Sequence, residues 1–217
     1  MKDNFGKLNI ETLQKLEYKI LQAIKKENWK SVDINYHDPR VERVWTTIKH
    51  EDRNIRVHLH VIHLAKDSKN CLYHKHRWPA VMKQIKGSYE MGITYSESEI
   101  SSEEAHQLPN LVRFILNEGS YYEMNHTDCL HYVRPLITKR KENGFKAEDY
   151  SLSIMLTEEN EMFPEATFRK ESAPLSLRPL PDDRIEYILG MFHIQIMLET
   201  GFNSKKYYQQ KYGEIYE

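Results

Sequence analysis

The sequence predicts a mainly β chain, an antiparallel barrel or sandwich with one helix before it and one helix after it. About eight short stretches rich in β-branched and aromatic residues follow one another between polar turns, as is typical of such folds. Helical periodicity is confined to the two ends of the chain. Only eight glycines and eight prolines occur among 217 residues, so long low-complexity segments are not expected. The predicted organisation is a helical extension over 1–37, a β domain over 38–180, and a helix and tail over 181–217.

Each predicted helix shows an apolar stripe and a start signal. In the first, apolar residues from Ile10 to Ile24 recur at steps of three and four, and Asn9 is a suitable N-cap. The last helix begins just after Pro181, where a proline and an acidic first turn favour initiation. Gly201 then provides a stop for this helix.

The β domain is predicted from runs of alternating or β-branched residues. In the run from 55 to 64, Arg56, His58 and His60 fall on one face of the strand, while the valines and leucine between and after them fall on the other. Residues 96–110 are polar without a clear period and are predicted as a loop or a short helix. The predicted strands are 41–48, 55–64, 80–86, 89–95, 111–116, 120–125, 130–137 and 150–156.

The charge balance and the lack of long apolar runs argue against two classes of partner. Lys and Arg number 31 and Asp and Glu 32, so no excess of cations is available to bind phosphates, and no nucleic-acid partner is expected. No run approaches the roughly 20 apolar residues of a membrane helix, so no membrane partner is expected. The N-terminus lacks the apolar core of a signal peptide, which favours a cytoplasmic location. In that compartment Cys71 and Cys129 are expected to be free thiols.

Histidine is the residue type that points to chemistry, because it is the commonest metal ligand among side chains. Residues two apart on a strand share a face, so a His-x-His pair sends both imidazoles into one interior. The chain has 11 histidines, and most fall into three groups: His58, His60 and His63, then His74 and His76, then His126 and His131.

The segment that begins at His74 and His76 and ends at Gly87 resembles the first motif of the cupin superfamily. The histidine pair and the glycine stand at the family's spacing. Ala80 stands where the family has a glutamate. Without this carboxylate, the side chains that the resemblance offers as metal ligands are all histidines.

The segment from Gly119 to His131 resembles the second cupin motif, which runs from a glycine to a single histidine. His131 lies one residue further from the glycine than in the usual pattern, and the motif's inner proline and glycine are absent. Together the two motifs extend the resemblance over roughly residues 55–156 and leave both ends of the chain unexplained.

The resemblance implies an antiparallel β-barrel of the jelly-roll type that holds one divalent metal on His74, His76 and His131. A neutral three-histidine set resembles the cysteine dioxygenase branch of cupins and some diketone-cleaving members, which use iron(II) and molecular oxygen. Iron(II) is therefore the favoured metal, although such a set also binds nickel, copper or zinc. His126 is the alternative third ligand if the strand register differs.

The function implied is that of a metal-binding cupin, a non-haem iron dioxygenase acting on a small polar organic substrate. The segment from Ser151 through Ser153 to Met155 keeps only the first serine of the branch's Ser-x-His-x-Tyr pattern, which argues against cysteine as the substrate. Two alternatives stay open. One is a non-redox module that binds a small ligand, and the other is a metal-dependent isomerase or lyase in which tyrosine or glutamate moves a proton.

Further residues are candidates for lining the pocket. Each also has a plainer interpretation, as a hydrogen-bonded core histidine, a tryptophan that fills the barrel mouth, a strand tyrosine or a small buried thiol. A homodimer is expected from the family resemblance, with Tyr18, Trp45 and the tyrosines of the tail as contacts. The pocket candidates are His58, His60, Trp78, Tyr122 and Cys129.

Overall fold

The computed structural model describes most of the chain in eight segments. His76, His126, Gly201 and the C-terminal tail lie outside them. The described segments are residues 8–35, 37–65, 71–75, 78–96, 100–125, 129–136, 149–158 and 178–200.

Three helices and ten strands make up these segments, and each predicted strand and terminal helix has a counterpart among them. The helices are α1 (Ile10–Lys26), α2 (Ser102–Gln107) and α3 (Asp182–Thr200). The strands are β1 (Lys30–Ile34), β2 (Val41–His50), β3 (Arg53–His63), β4 (His74–Lys75), β5 (Ala80–Lys86), β6 (Ser88–Tyr95), β7 (Val112–Leu116), β8 (Tyr121–Met124), β9 (Cys129–Leu136) and β10 (Tyr150–Glu158).

The strands pair antiparallel in two sheets. The larger sheet has the order β1-β2-β3-β10-β5-β8, and the smaller has the order β4-β9-β6-β7. From β3 to β10 the chain alternates between the sheets, except where β6 and β7 pair within the smaller one. Eight strands wound through two sheets in this order form a jelly roll. The predicted mainly β, antiparallel fold with flanking helices is confirmed, and the described strands form two separate sheets rather than one closed barrel.

The largest core lies between the six-stranded sheet and the two long helices. Val57, Leu59 and Val61 of β3 point to this side, as their alternation in the sequence predicts. Because the helices cover this face, the opposite face of β3, with His58 and His60, is turned away from them. The helices contribute Leu13, Leu16 and Ile20 from α1 and Ile188, Phe192 and Ile196 from α3.

A buried ion pair joins both long helices to the sheet. Lys83 Nζ of β5 lies 2.8 Å from Glu17 Oε1 of α1 and 2.6 Å from Glu199 Oε2 of α3. The two carboxylates satisfy an ammonium group that would otherwise be costly to bury. Within the described segments, no helix combines the length and the apolar character needed to cross a lipid bilayer.

A second, smaller core joins the two sheets. Ile62 of β3 packs with Tyr89, Met91 and Val133 of the smaller sheet. We call the faces that the two sheets turn toward each other the inner faces. Directly opposite residues of antiparallel strands share a face, so the strand register identifies every other inner-face residue.

β1 was not predicted as a strand, α2 lies in the stretch 96–110 that was predicted as a loop or a short helix, and one predicted contact is wrong. β1 is short and rich in lysine, serine and aspartate, which rarely favour strands. α2 is marked by a capping box between Ser101 and Glu104, a signal that the sequence carries. Trp45 was expected at a dimer contact, but it is opposite His58 on the inner face and only 9% exposed. Its side chain therefore packs inside the chain.

Candidate functional site

Two of the predicted metal ligands meet across neighbouring strands of the smaller sheet. His74 of β4 is directly opposite His131 of β9, and their ring centroids lie 4.3 Å apart at an interplanar angle of 64°. His131 is only 2% exposed. It is opposite Ile93 and shares the inner face with Met91 and Val133. The histidine pair therefore lies on the inner face of the jelly roll.

The hydrogen bonds of this pair define its tautomers. His74 Nδ1 lies 3.3 Å from the carbonyl oxygen of Leu72, and His131 Nδ1 lies 3.4 Å from Met91 Sδ. A carbonyl oxygen and a thioether sulfur only accept, so in each contact Nδ1 must donate. In a neutral imidazole this leaves the lone pair on Nε2. Metal-binding histidines commonly have this form, with the other ring nitrogen donating to the protein.

A divalent transition metal suits donors of this type, since each ring in this tautomer carries its lone pair on Nε2 and the two residues share the inner face. His76 and His126 lie outside the described residues, so the structure does not locate the predicted third ligand or its alternative. Within the described residues, no group of three or more His, Cys, Asp or Glu side chains is arranged to hold a metal ion. The described part of the site is therefore a two-histidine pair.

His58 and His60 lie on the inner face of the larger sheet. They are 4% and 5% exposed, and their ring centroids lie 6.0 Å apart. His58 Nε2 lies 3.2 Å from Thr157 Oγ1 of β10. Since Ile62 of the same strand face packs on the smaller sheet, both imidazoles border the space between the sheets.

A polar row crosses four strands of the larger sheet at the level of His60. Arg43 of β2 is opposite His60, which is opposite Ser153 of β10, which is opposite Gln84 of β5. Ser153 and Gln84 are fully buried. We call these four residues the polar row. Arg43, Ser153 and Gln84 were missed in the sequence, although Ser151-x-Ser153 already shows small polar residues at a strand's alternate positions.

Tyr122 and Cys129 also lie on the inner faces, and both remain protonated near neutral pH. Tyr122 of β8 accepts a 2.9 Å hydrogen bond from Tyr89 across the sheets. Burial raises the pKa of Tyr122 and, with the neighbouring phenol, that of Tyr89. Cys129 shares a strand face with His131, and burial raises the pKa of its thiol. Trp78, the remaining candidate, is partly buried two residues before β5 begins, with its Nε1 atom inaccessible to solvent.

The inner faces of the described strands carry positive but no negative side chains. Arg43 and Arg56 lie on the inner face of the larger sheet, and the Nε atom of each is inaccessible to solvent. Two carboxylates of the larger sheet point outward: Glu42 and Glu123 are opposite Val61 and Val81, which pack under the helices.

Comparison with known proteins gives distant likeness in fold. No protein-family model matches the sequence, and no curated protein matches it. Among solved structures, the chain is similar to the hydroxypropylphosphonic acid epoxidase from S. wedmorenis at 9% identity and a TM-score of 0.38, over 60% of this chain and 56% of that one. It is similar to an RmlC-like cupin from Shewanella frigidimarina at 12% identity and a TM-score of 0.36, over 62% and 87% of the two chains. It is also similar to an oxalate decarboxylase variant from Bacillus subtilis at 12% identity and a TM-score of 0.38, over 65% and 32%.

The chain spans about half the length of the epoxidase chains that it matches, between 49% and 56% of each. At these TM-scores the likenesses carry no functional conclusion. The jelly-roll assignment rests on the strand order of this chain, and its function is inferred from its own residues.

Proposed function

We propose that the chain is a metal-binding jelly-roll protein of the cupin type, in which His74, His76 and His131 hold one divalent metal between the sheets. The observation that carries this proposal is the inner-face pair of His74 and His131. Both Nδ1 atoms donate to acceptors within the protein, so each neutral ring carries its lone pair on Nε2. Neutral imidazole nitrogens of this kind suit divalent transition metals.

His76 belongs to the proposal because of its spacing from His74. Residues two apart on a strand share a face, and His74 is the first residue of β4. A bound metal with three protein ligands supplies Lewis acidity and open coordination positions, and iron(II) adds redox chemistry. The finer proposal is therefore a non-haem iron dioxygenase that acts on a small polar organic molecule held between the sheets.

The chain's own side chains define what that molecule would meet. His58 and His60 provide imidazoles along the wall of the larger sheet. Tyr89 and Tyr122 stay protonated because burial raises their pKa values, so they donate hydrogen bonds and do not act as bases. The inner faces of the described strands offer no carboxylate for proton transfer, which disfavours an isomerase or lyase built on tyrosine or glutamate.

The metal content of purified protein tests the proposal. We expect near one equivalent of metal in the wild type after reconstitution, and well under half an equivalent in His74→Ala and in His131→Ala. His193→Ala is the matched control, because this histidine lies on α3, which packs on the outer side of the larger sheet. Full metal content in both ligand variants would contradict the proposal. A thermal unfolding midpoint for each variant separates the loss of a ligand from the loss of the fold.

A non-redox binding module is the second candidate, and one observation favours it. Ser153 and Met155 occupy inner-face positions of β10 where the cysteine dioxygenase branch has histidine and tyrosine. A thioether cannot move a proton, so this strand lacks the acid–base groups of that branch. Oxygen consumption by the iron-loaded protein, measured against a panel of thiols, diketones and small acids, separates the two. Oxygen uptake with any of them supports the dioxygenase, and ligand binding without uptake supports the module.

A further inference from the structure

The last helix, α3, is apolar on two opposite sides. Its inner side packs on the main core. Of the six large apolar side chains that are exposed in the described part of the chain, three lie on the outer side of this one helix. A surface helix of a single chain normally turns polar residues to solvent, and a concentrated apolar patch marks an interaction site. We call the outer stripe the four exposed residues that share this side, Tyr187, Gly190, Ile194 and Leu198.

Gly190 lies within the outer stripe, and packing inside the chain does not require a glycine there. A Cβ atom added at this position would meet no heavy atom within 4 Å among the described residues. Glycine inside a helix is destabilising relative to alanine. Its missing side chain leaves a shallow hole between Tyr187 and Ile194, where another helix can approach the backbone closely. The outer stripe therefore has the shape of a helix-packing surface.

The spacing of the outer stripe makes it self-complementary. When two copies of α3 pack antiparallel about a centre level with Phe192, positions equally far before and after that centre meet. Gly190 of one copy then meets Ile194 of the other, and the isoleucine fills the hole at the glycine. Tyr187 meets Met197, which flanks the stripe. Each of these contacts is apolar and occurs twice, as a two-fold interface requires.

The charges of α3 distinguish a second copy from a membrane surface as the occupant. The helix contains four carboxylate residues, one arginine and no lysine. The arginine, Arg184, already binds Glu42. Helices that bind anionic lipid surfaces are rich in lysine and arginine, so such a surface would repel this helix. The stripe is suited instead to an equally apolar helix surface, and the outer stripe of a second copy is one.

The area of the outer stripe indicates how strong such a contact is. Tyr187, Ile194 and Leu198 are each more than half exposed. With roughly 150–200 Å² for each of these large side chains, they offer about 300 Å² of apolar surface per copy. Two copies, with the side chains that flank the stripe, therefore bury on the order of 1,000 Å², which lies at the lower end of specific interfaces. This area is that of a weak, reversible dimer.

We propose that two copies of this chain associate through the outer stripe, with their α3 helices antiparallel and Gly190 of each copy receiving Ile194 of the other. None of the stripe residues was among the dimer contacts expected from the sequence. Because α3 lies on the outer side of the larger sheet, the proposed metal site on the inner faces of each copy stays outside the interface. The inference is therefore independent of the proposed function.

Sedimentation velocity of the full chain at concentrations from about 1 to about 300 μM tests the proposal. We expect a reversible monomer–dimer equilibrium with a dissociation constant on the order of 10 μM. Ile194→Glu should weaken it by about tenfold or more, because each dimer would bury two unpaired carboxylates. Gly190→Leu should weaken it to a similar extent, since the new side chain has open space in a single copy but occupies the hole that the isoleucine of the second copy fills.

Ile115→Glu is the matched control, because Ile115 of β7 is 59% exposed and Ile194 is 61% exposed. Ile115 lies on the smaller sheet, whereas α3 packs on the larger one, so this variant should dimerise as the wild type does. Urea unfolding at a protein concentration well below the dissociation constant shows whether each variant is folded. Gly190→Leu replaces glycine by a better helix former, so it keeps the test decisive if Ile194→Glu unfolds.

Several results would overturn the inference. A wild type that remains monomeric up to about 300 μM has no such interface. A dimer that Ile194→Glu and Gly190→Leu leave intact is held elsewhere, and a dimer that Ile115→Glu weakens equally is not specific to α3. A monomer that Ile194→Glu destabilises and Ile115→Glu does not would show that another segment of the same chain, such as residues 202–217, covers the stripe. Metal content should be the same in all samples, so it tests the proposed function separately.

Discussion

At the scale of single residues, Gly92 shows how tightly the outer side of the smaller sheet is packed. A Cβ atom at this position would lie 2.0 Å from Cε1 of Tyr132 on the neighbouring strand. The Tyr132 ring has little freedom to move, because it packs edge-on against Tyr73 with centroids 4.8 Å apart, and its hydroxyl donates to Glu90 Oε1. Glycine is therefore required here by space, in the strand that pairs with the His131 strand.

Gly92→Ala should destabilise the protein by about 3 kcal/mol, because an overpacked contact forces ring and backbone to shift. Gly190→Ala is the control. A Cβ atom added at this glycine of α3 would meet no heavy atom within 4 Å, so alanine should stabilise the helix by up to about 1 kcal/mol. Chemical denaturation of both variants measures the two effects. If Gly92→Ala were as stable as the wild type, the Tyr132 ring would be able to move aside at little cost in free energy, which would contradict the account of a rigid contact.

Sequence patterns predicted single residues where alternation alone decides their position. The face that carries His58 and His60 follows from the period of two in β3, and the structure has both on that face. The contacts of Tyr132 with Gly92 could not be predicted, because they depend on which strands become neighbours. The period of a sequence pattern predicts the strand face on which a side chain lies. The residue that the side chain contacts on the next strand depends on the order of the strands in the sheet.

At the scale of elements, Glu42 joins three parts of the fold. Its carboxylate accepts a 2.8 Å hydrogen bond from His63 Nε2 of β3 and two hydrogen bonds from Arg184 of α3. Arg40 adds a longer contact at 3.3 Å. Burial opposes ionisation of Glu42, but the hydrogen bonds from His63 and Arg184 outweigh it and lower its pKa from 4.5 to about 2. The carboxylate thus connects the start of α3 to the β2–β3 hairpin.

Glu42→Gln should lower the free energy of unfolding near pH 7 by about 2 kcal/mol, since it removes charge-assisted hydrogen bonds. Because the pKa of Glu42 is lowered on folding, its contribution is present above pH 4.5 and disappears as the pH falls toward 2. The difference between variant and wild type should therefore shrink across that range. Urea unfolding at a series of pH values measures it.

Glu51→Gln is the control for this pH series, because Glu51 is exposed at the turn of the same hairpin. Its stability curve should run parallel to that of the wild type. A difference between Glu42→Gln and wild type that stays constant from pH 7 to pH 2 would contradict the assigned role of the carboxylate.

The sequence predicted the strands and helices whose apolar side chains are buried, and it did not predict the mostly polar strand β1. The long strands and both terminal helices carry apolar periodicity that burial enforces, so their positions were predictable. β1 is a strand of mostly polar residues at the end of the larger sheet. It pairs with β2 and, through a single bridge at Asp33, with Arg178, and its own sequence has little strand preference. The polar row was missed for a related reason, because it becomes visible only when four strands are placed side by side.

At the scale of the whole molecule, the main apolar core and the candidate site residues lie on opposite sides of the larger sheet. The outer face of the larger sheet is closed by α1 and α3 over an apolar core, with Lys83 paired to both helices. The inner faces carry the histidines, the buried serines and two arginines. Because the main core lies outside the space between the sheets, polar residues there cost less stability than they would in a sandwich with a single central core.

The measurement that bears most directly on the proposed metal site is X-ray absorption at the zinc edge of the zinc-loaded protein. We predict imidazole nitrogens at about 2.0–2.1 Å from the metal, with one fewer imidazole in His131→Ala than in the wild type. A sulfur neighbour at about 2.3 Å would place the metal on a cysteine such as Cys129 instead of on the three histidines. A spectrum with oxygen neighbours alone, unchanged in His131→Ala, would contradict the three-histidine site.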